Sequence, residues 1–588
     1  MSADNEDQIK MAEELLFSDK HEKKLGPARA IFKTEMADIP LDPFPATQDE
    51  QNTDSAAFLK ELDVFLDKNL DPVKIDLEEN IPAQVIKGLG SIGMLGLTIP
   101  KNYGGQNHTQ RTYCLAMKKV AARCGATAVF INAHQSIGLR AILLNGTDKQ
   151  KSTYLEKLSS GDMLAAFALT EPEAGSDAAN VQTRALYNEK QKCYIINGEK
   201  RWITNGGIAG VLTLMAKTKI GHEDKITAFL VTPDMPGFQV TERALKKCGI
   251  RGTATARLAF HDMKVPEENI LGRLGAGLKT ALTVLDYGRL TFGASCTGAA
   301  EFLVQGTLQH SRQRIQFNKP LCAFELVQEK LARMSAYCYA MDAATFYTAA
   351  LFDNGMEDVM LETAMLKVFA SDALWMITYE SMQVNGGRSF FCDLPYERMM
   401  RDARLNTIGE GANEVLRVFI GLVGMRDIGM ELKSFVEHLK SPFGNLGGIL
   451  SYVGTCTHRI FNRSPLKCRS AQLNSACVTF NRDLTCFYKS ILRVLARYRE
   501  DVVNRQCDVN RIATAAIALF TSLAVLKRLD HDLCSPGGQQ QQLQNDLRTG
   551  RYYLQLAHVE LQGALKNLFS NTDHTGQQLS HLLTGLGI

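Results

Sequence analysis

The sequence predicts an α+β chain, with an N-terminal helical domain, a small middle β domain, a C-terminal helical bundle and a further helical domain appended after it. Three observations carry that expectation. Apolar residues recur every three or four positions on both sides of a central stretch in which the period falls toward two. The chain has 588 residues, 45% apolar and 22% charged, which suits several packed domains and excludes a disordered or disulfide-stapled protein. Its 66 Lys and Arg against 63 Asp and Glu leave a net charge of +3, too balanced for the whole chain to be a nucleic-acid binder.

Taken in order, residues 1–45 read as a leader. Its first stretch, MSADNEDQIKMAEELLFSDK, is acidic and has the layout of neither a signal peptide nor a transit peptide. That favours a prokaryotic cytoplasm; from a eukaryote, a trimmed chain of this kind would belong to the mitochondrial matrix or inner membrane. Phe58, Leu59, Leu62, Phe65, Leu66 and later Leu155 and Leu158 keep a helical period through residues 46–164. Residues 165–273 form the β domain, where Cys193–Ile196 is expected to close on an Asn197-Gly198 turn, followed by short runs at Ile226–Val231 and Leu258–Phe260. Residues 274–430 return to long helical patterns. Pro442, Gly444, Gly447 and Gly448 interrupt them, so residues 431–470 are read as a linker and loose basic loop. Residues 471–588 are helical again, broken by a surface loop at Ser535-Pro536-Gly537-Gly538 and the four glutamines that follow.

The apolar run Ala513–Leu526 falls short of the ~20 residues of a membrane span and is expected to be a buried or interface helix. The 14 cysteines are scattered singly, with no C-x-x-C pair and no zinc spacing, which suits a reducing compartment and no metal site. From Ser441 to the end there are sixteen basic and nine acidic residues, a net of +7. With Arg459, Arg463, Lys467 and Arg469 beside Ile460, Phe461 and Leu466, that region suits peripheral contact with an anionic membrane, or else a solvated basic face. The interspersed acids argue against nucleic acid.

The sharpest motif is Leu169-Thr170-Glu171-Pro172-Glu173-Ala174-Gly175-Ser176-Asp177, a segment of small and hydroxyl residues that a flat or phosphate-bearing ligand can approach closely. By itself it is equally a polar loop. Its partner is Gly198-Glu199-Lys200-Arg201-Trp202-Ile203-Thr204-Asn205-Gly206-Gly207, where one of only two tryptophans lies close to a threonine. An aromatic plane near a hydroxyl suits a stacked heteroaromatic ring.

These motifs resemble those of the acyl-CoA dehydrogenase family, and the resemblance extends from about Ser55 to Gly429. Further matches are Ile99-Pro100-Lys101-Asn102-Tyr103-Gly104-Gly105, Lys247-Cys248-Gly249-Ile250-Arg251 leading to Val265-Pro266, Arg314-Ile315-Gln316-Phe317 and Glu410-Gly411. The segment Ala133-His134-Gln135-Ser136-Ile137-Gly138 and the long C-terminal region are most similar to the very-long-chain branch. The resemblance implies FAD as cofactor and conversion of long to very-long-chain acyl-CoA to the trans-2-enoyl thioester in fatty acid β-oxidation. It also implies hydride transfer to flavin N5, an electron-transfer flavoprotein as acceptor, and a homodimer.

By the same resemblance Glu410 is the catalytic base, its backbone N–H helping to grip the thioester oxygen, with Gly411 beside it at the substrate. An acidic residue opening a helix is the plainer reading of Glu410. Some relatives carry the base on an earlier helix, at the position that Gly288 occupies here. Phe167, Leu169, Thr170, Gly175, Ser176, Trp202 and Thr204 match the residues around the flavin ring. Arg314, Phe317, Gln383, Gly386 and Gly387 match those reaching the adenine and pyrophosphate across the subunit interface. Ser176 and Arg289 match contacts to CoA, Arg289 being equally a surface salt-bridge residue. Gly409, Ala412, Asn318 and Ser389 depart from the family pattern, which bears on FAD affinity and chain-length preference. An acyl-CoA oxidase and a non-enzymatic flavoprotein fold used for binding or assembly are the alternatives.

Overall fold

A computed structural model describes residues 26–36, 39, 53–439, 446–461, 465–535 and 540–585. The described residues fall into two compact units. The first contains those within Thr47–Leu331 and Ala370–Gly411, the second those within Lys24–Ala46, Ala332–Phe369 and Ala412–Ile588.

The first unit is organised around one eight-stranded sheet made by β1 (Ala165–Ala168), β2 (Arg184–Asn188), β3 (Cys193–Ile203), β4 (Val211–Ile220), β5 (Glu223–Val231), β6 (Phe238–Glu242), β7 (Ala256–Pro266) and β8 (Ile270–Leu271). Its order is β6-β7-β3-β2-β4-β5-β8, and β1 pairs with β4 in parallel. Alternation along the strands sends successive side chains to opposite faces. Ala165, Val211 and Met215 pack with Ile137, Leu139, Leu155 and Leu158 of the preceding helices. Ala166, Leu212 and Leu214 pack with Ile196, Phe229, Leu258 and Phe260 on the other face. Both faces of β4 are covered, so its first six residues are all buried, as in a strand with no solvent side.

The helices before the sheet include a π-helical segment, Asn132–Leu139, and this is where the Ala133–Gly138 motif lies. His134 is fully buried; its Nε2–H donates to the Leu158 carbonyl at 3.0 Å while its Nδ1 accepts the Ala165 N–H at 3.0 Å. Burial lowers its pKa to about 4, which keeps the ring neutral and able to play both parts. Gln135 accepts the Thr98 N–H and donates to the Met94 carbonyl. A Cβ at Gly138 would lie 2.7 Å from that of Ala165, so only glycine lets the segment approach β1 this closely.

Three expectations are corrected. Asn197-Gly198 is no hairpin turn: β3 runs straight through it, with a register shift against β7 between Ile196 and Gly198. Gly198 has φ +151°, a Cβ there would meet Thr183 Oγ1 at 2.5 Å, and the Asn197 amide bonds Asp262. This is a β-bulge, which uses the same residue types as a turn. The hairpin closes instead over residues 189–192, with Lys192 at positive φ. Second, the residues read as a basic loop contain a helix, Leu446–Ile460, because its apolar positions keep helical spacing beyond the two glycines. Arg459 is 4% exposed and bonded to Glu35 and Glu431, so it offers no charge to a surface; Arg463 lies outside the described residues. Third, the leader contributes a helix, Pro27–Lys33, whose Ala28, Ala30, Ile31 and Phe32 are buried in the second unit; the rest of it is outside the described residues except for positions 26, 34–36 and 39. Pro536 to Gln539 are likewise outside, and Gln540 already begins a helix.

The second unit is helical. Its Gln506–Cys534 helix contains the apolar run and is long and apolar enough to cross a membrane by length and composition, yet 83% of its apolar window is buried inside the molecule. It is a core helix here, enclosed by Asn474–Tyr498 and Gln540–Asn567.

Candidate active site

The site is built on two supports within the first unit. One is the loop after β1, tied to the end of β3. Arg201 N–H donates to the Thr170 carbonyl at 2.9 Å, and Lys200 Nζ reaches the Leu169 carbonyl at 2.9 Å and Glu171 Oε1 at 2.6 Å. Glu171 also accepts the backbone N–H groups of Gln182 and Thr183. Burial draws the Lys200 ammonium down to about 8 against the pull of Glu171. Burial pushes the other way on Glu171, but Lys200 and the backbone donors outweigh it and hold the carboxyl below its usual value.

On this support Trp202 stands at φ +58° with 57% of its surface exposed, and the Arg201 guanidinium lies 4.6 Å from its ring centre. A tryptophan held open in the left-handed region is a strained arrangement of the kind found at binding sites. On the same support Phe167, Leu169, Thr170 and Thr204 are half-buried, and Ser176 is exposed. A Cβ on Gly175 would meet no atom within 4 Å. A flat apolar plane, hydroxyls and an open glycine fit a flavin ring and its ribityl chain.

The second support is the Gly277–Gln313 helix against the turn that carries Glu410. Glu410 has φ +59° and Gly411 φ +97°. The next helix starts only at Asn413, so Glu410 precedes its cap and does not open it. The carboxylate is half-buried; Oε1 accepts from Asn132 Nδ2 at 3.1 Å, and a Cβ built on Gly288 would lie 2.9 Å from Oε2. The glycine that replaces the alternative base position thus faces the base candidate directly. Arg289 is 6% exposed, paired with Asp286 at 3.2 Å, with Nε 3.4 Å from the Glu410 carbonyl. It is buried, not on the helix surface, and its side chain faces the Glu410 turn.

Arg314, Phe317, Gln383, Gly386 and Gly387 gather on a separate exposed patch where two helices end. Asn385 bonds Thr307 and Arg388 bonds His310 across it, each at 3.2 Å. Phe317 is 88% exposed at φ +50°, and a Cβ on Gly386 or Gly387 would meet nothing within 4 Å. Sequence reasoning assigned no role to Asn132, nor to Lys200 with Glu171. Asn132 could have been noticed as an amide closing the apolar run Ala128–Ile131; the ion pair could not, since its partners are joined only by the fold.

Four family models match in chain order: acyl-CoA dehydrogenase N-terminal domain at residues 52–162, middle domain at 166–263, C-terminal domain at 275–423, and the ACAD9/ACADV C-terminal domain at 471–582. The chain belongs to the acyl-CoA dehydrogenase family. Within it, this dehydrogenase is most like the very-long-chain branch: it is 36% identical over 521 residues to the mitochondrial very long-chain specific acyl-CoA dehydrogenase of Macaca fascicularis, covering 86% of this chain and 79% of that one. A crystal structure of an acyl-CoA dehydrogenase complexed with FAD from Bacillus anthracis superposes with a TM-score of 0.76 at 28% identity, covering 91% of this chain and 92% of that one. Butyryl-CoA dehydrogenase from Megasphaera elsdenii gives 0.61 at 35% identity, over 64% of this chain and 98% of that one. The protein is therefore an FAD-dependent oxidoreductase of fatty acid oxidation.

Proposed function

We propose that this dehydrogenase converts long to very-long-chain acyl-CoA to trans-2-enoyl-CoA with Glu410 as the base that removes the α-proton. The observation that carries the reading is the Glu410 carboxylate, held half-buried on a strained turn beside Gly288 and steadied by Asn132 and Arg289. An α-proton next to a thioester is too weakly acidic for a carboxylate alone, so the carbonyl oxygen needs donors fixed before the reaction. The Glu410 backbone N–H, in a turn whose carbonyl is held by Arg289, is one such donor. FAD bound here would supply the acceptor for the β-hydrogen, which leaves as hydride. The residues that would hold it are Phe167, Leu169, Thr170, Gly175, Ser176, Trp202 and Thr204.

The long-chain reading rests on the likeness to the very-long-chain relatives; beside Asn132, which bonds the Glu410 side chain, lies a small apolar cavity with Ala121, Gly125, Ala128, Ala299 and Ala403 in its wall. The exposed Phe317 patch supports a homodimer in which Arg314, Gln383, Gly386 and Gly387 serve the partner's cofactor. An electron-transfer flavoprotein is the acceptor that the family likeness suggests. Peripheral membrane contact rests less on charge than the sequence suggested, given the burial of Arg459, and more on the exposed Leu450, Val453 and Phe461. By likeness to its mitochondrial relatives a eukaryotic chain would work in the matrix or at the inner membrane, a bacterial one in the cytoplasm.

Anaerobic mixing of the yellow protein with palmitoyl- or stearoyl-CoA tests the reading. The flavin should bleach, and Glu410→Gln, nearly isosteric, should keep FAD and ligand binding while bleaching orders of magnitude more slowly. Rapid peroxide formation in air would indicate the oxidase instead; a yellow protein that no acyl-CoA bleaches would indicate a binding or assembly role.

A further inference from the structure

Behind Glu410 a line of buried polar groups runs from one helix through the π-helical segment to the carboxylate. Tyr113 Oη lies 2.9 Å from Ser136 Oγ, which lies 2.9 Å from Thr291 Oγ1. Thr291 bonds Asn132 Oδ1, and Asn132 Nδ2 bonds Glu410 Oε1 at 3.1 Å. Tyr113, Ser136, Thr291 and Asn132 are each at most 3% exposed.

With Glu410 ionised, the chemistry of the groups gives the line one consistent direction. An ionised carboxylate only accepts, so the Asn132 amide must turn its N–H to Glu410 and its oxygen to Thr291. Thr291 Oγ1, whose nearest acceptor is Asn132 Oδ1 ahead of the Tyr287 and Gly288 carbonyls at 3.1 and 3.2 Å, then donates to Asn132 and accepts from Ser136, which accepts from Tyr113. Burial raises the Tyr113 hydroxyl to about 12, so it remains a donor at any working pH. All four donors point the same way, toward the carboxylate, an arrangement in which each bond polarises the next. Asn132 and Ser136, four residues apart in the π-helical segment, share the face that meets Thr291.

We propose that Asn132 is a positioning residue for the Glu410 carboxylate, its amide oriented by Thr291 and presented by the π-helical segment. The inference rests on Glu410 being the base. Asn132 does not touch the reacting carbon; it aims the carboxylate and favours its ionised form. The charged side chain placed against this turn is Arg289, whose charge is matched by Asp286.

Asn132→Ala in the FAD-loaded enzyme tests it. The expected result is unchanged FAD content and acyl-CoA affinity, flavin reduction slowed about 10- to 100-fold, and the base limb of the rate against pH moved up by about one pH unit, because a hydrogen bond to the charged form is lost. Thr291→Val, which frees the amide to turn, should move the limb the same way by less. Asn132→Asp keeps the shape but adds a second carboxylate, and should move the limb further than Ala does; it carries the test if the alanine variant folds poorly. A limb that stays in place in both Asn132 variants, with Glu410→Gln still inactive, overturns the role of Asn132 and leaves the base standing. A Glu410→Gln enzyme that reduces its flavin normally overturns both.

Discussion

Lys200 and Glu171 form an ion pair at 2.6 Å with only 0% and 2% of their side chains exposed, and between them they tie the loop after β1 to the strand end that carries Trp202. Water reaches neither group. Breaking such a pair by removing one partner leaves the other charge buried and costs about 3–5 kcal/mol, more than the pair itself contributes.

Lys200→Met is therefore expected to lower the melting temperature markedly and to shed FAD during gel filtration, read from the ratio of flavin to protein absorbance. The double variant Lys200→Met/Glu171→Leu should recover part of the lost stability, since no lone charge remains. A single variant as stable and as yellow as the parent would contradict this account of the loop.

Gly288→Ala should separate stability from rate. In a helix interior alanine is favoured over glycine by up to about 1 kcal/mol. Here, however, the added methyl would sit 2.9 Å from Glu410 Oε2 and 3.1 Å from Ile137. We expect a melting temperature equal to or above that of the parent, with anaerobic flavin reduction slowed at least about tenfold, or 1.4 kcal/mol. Stopped-flow reduction at saturating acyl-CoA measures it.

Glu362 gives the second unit a pH dependence. It is 2% exposed and accepts the Ala28 N–H at 2.9 Å, and burial raises its pKa to about 7 from the usual 4.5. The folded chain therefore holds this proton more tightly than the unfolded one does. Its contribution is fully favourable below about pH 4.5, declines as pH rises toward 7, and is a constant cost above that. Glu362→Gln should raise the melting temperature at pH 8 and leave it nearly unchanged at pH 4.5. Thermal melts at the two pH values decide the matter, and an equal change at both would rule out titration of this group as the cause.

Phe317→Asp should report on assembly. Phe317 is 88% exposed beside Ile315, itself 52% exposed, and a charge placed there would be costly in an apolar interface but harmless in water. Sedimentation should show the dimer reduced to a monomer that has lost FAD. A variant that remains dimeric and yellow would remove this patch from the interface.

Helical and strand periods, the flavin-loop motif and Glu410-Gly411 could all be read from the chain because each depends on residues near one another in sequence. Burial of an amphipathic face or the demand of a turn acts over a few positions, and it leaves a pattern there. The misreadings have the same origin. Asn197-Gly198 is locally identical in a turn and in a bulge, and only its pairing with β7 distinguishes them. Arg459 looks like a surface charge until Glu35 and Glu431, distant in sequence, close on it.

The sequence by itself determined the order of the helical and β segments and the family, and it singled out Glu410 as the candidate base. Tertiary structure alone decided that Lys200 meets Glu171, that Gly288 faces Glu410, and that Asn132 bonds its carboxylate. Those contacts join residues 29, 122 and 278 positions apart. Their strength comes from exclusion of water, which no local pattern of residues records.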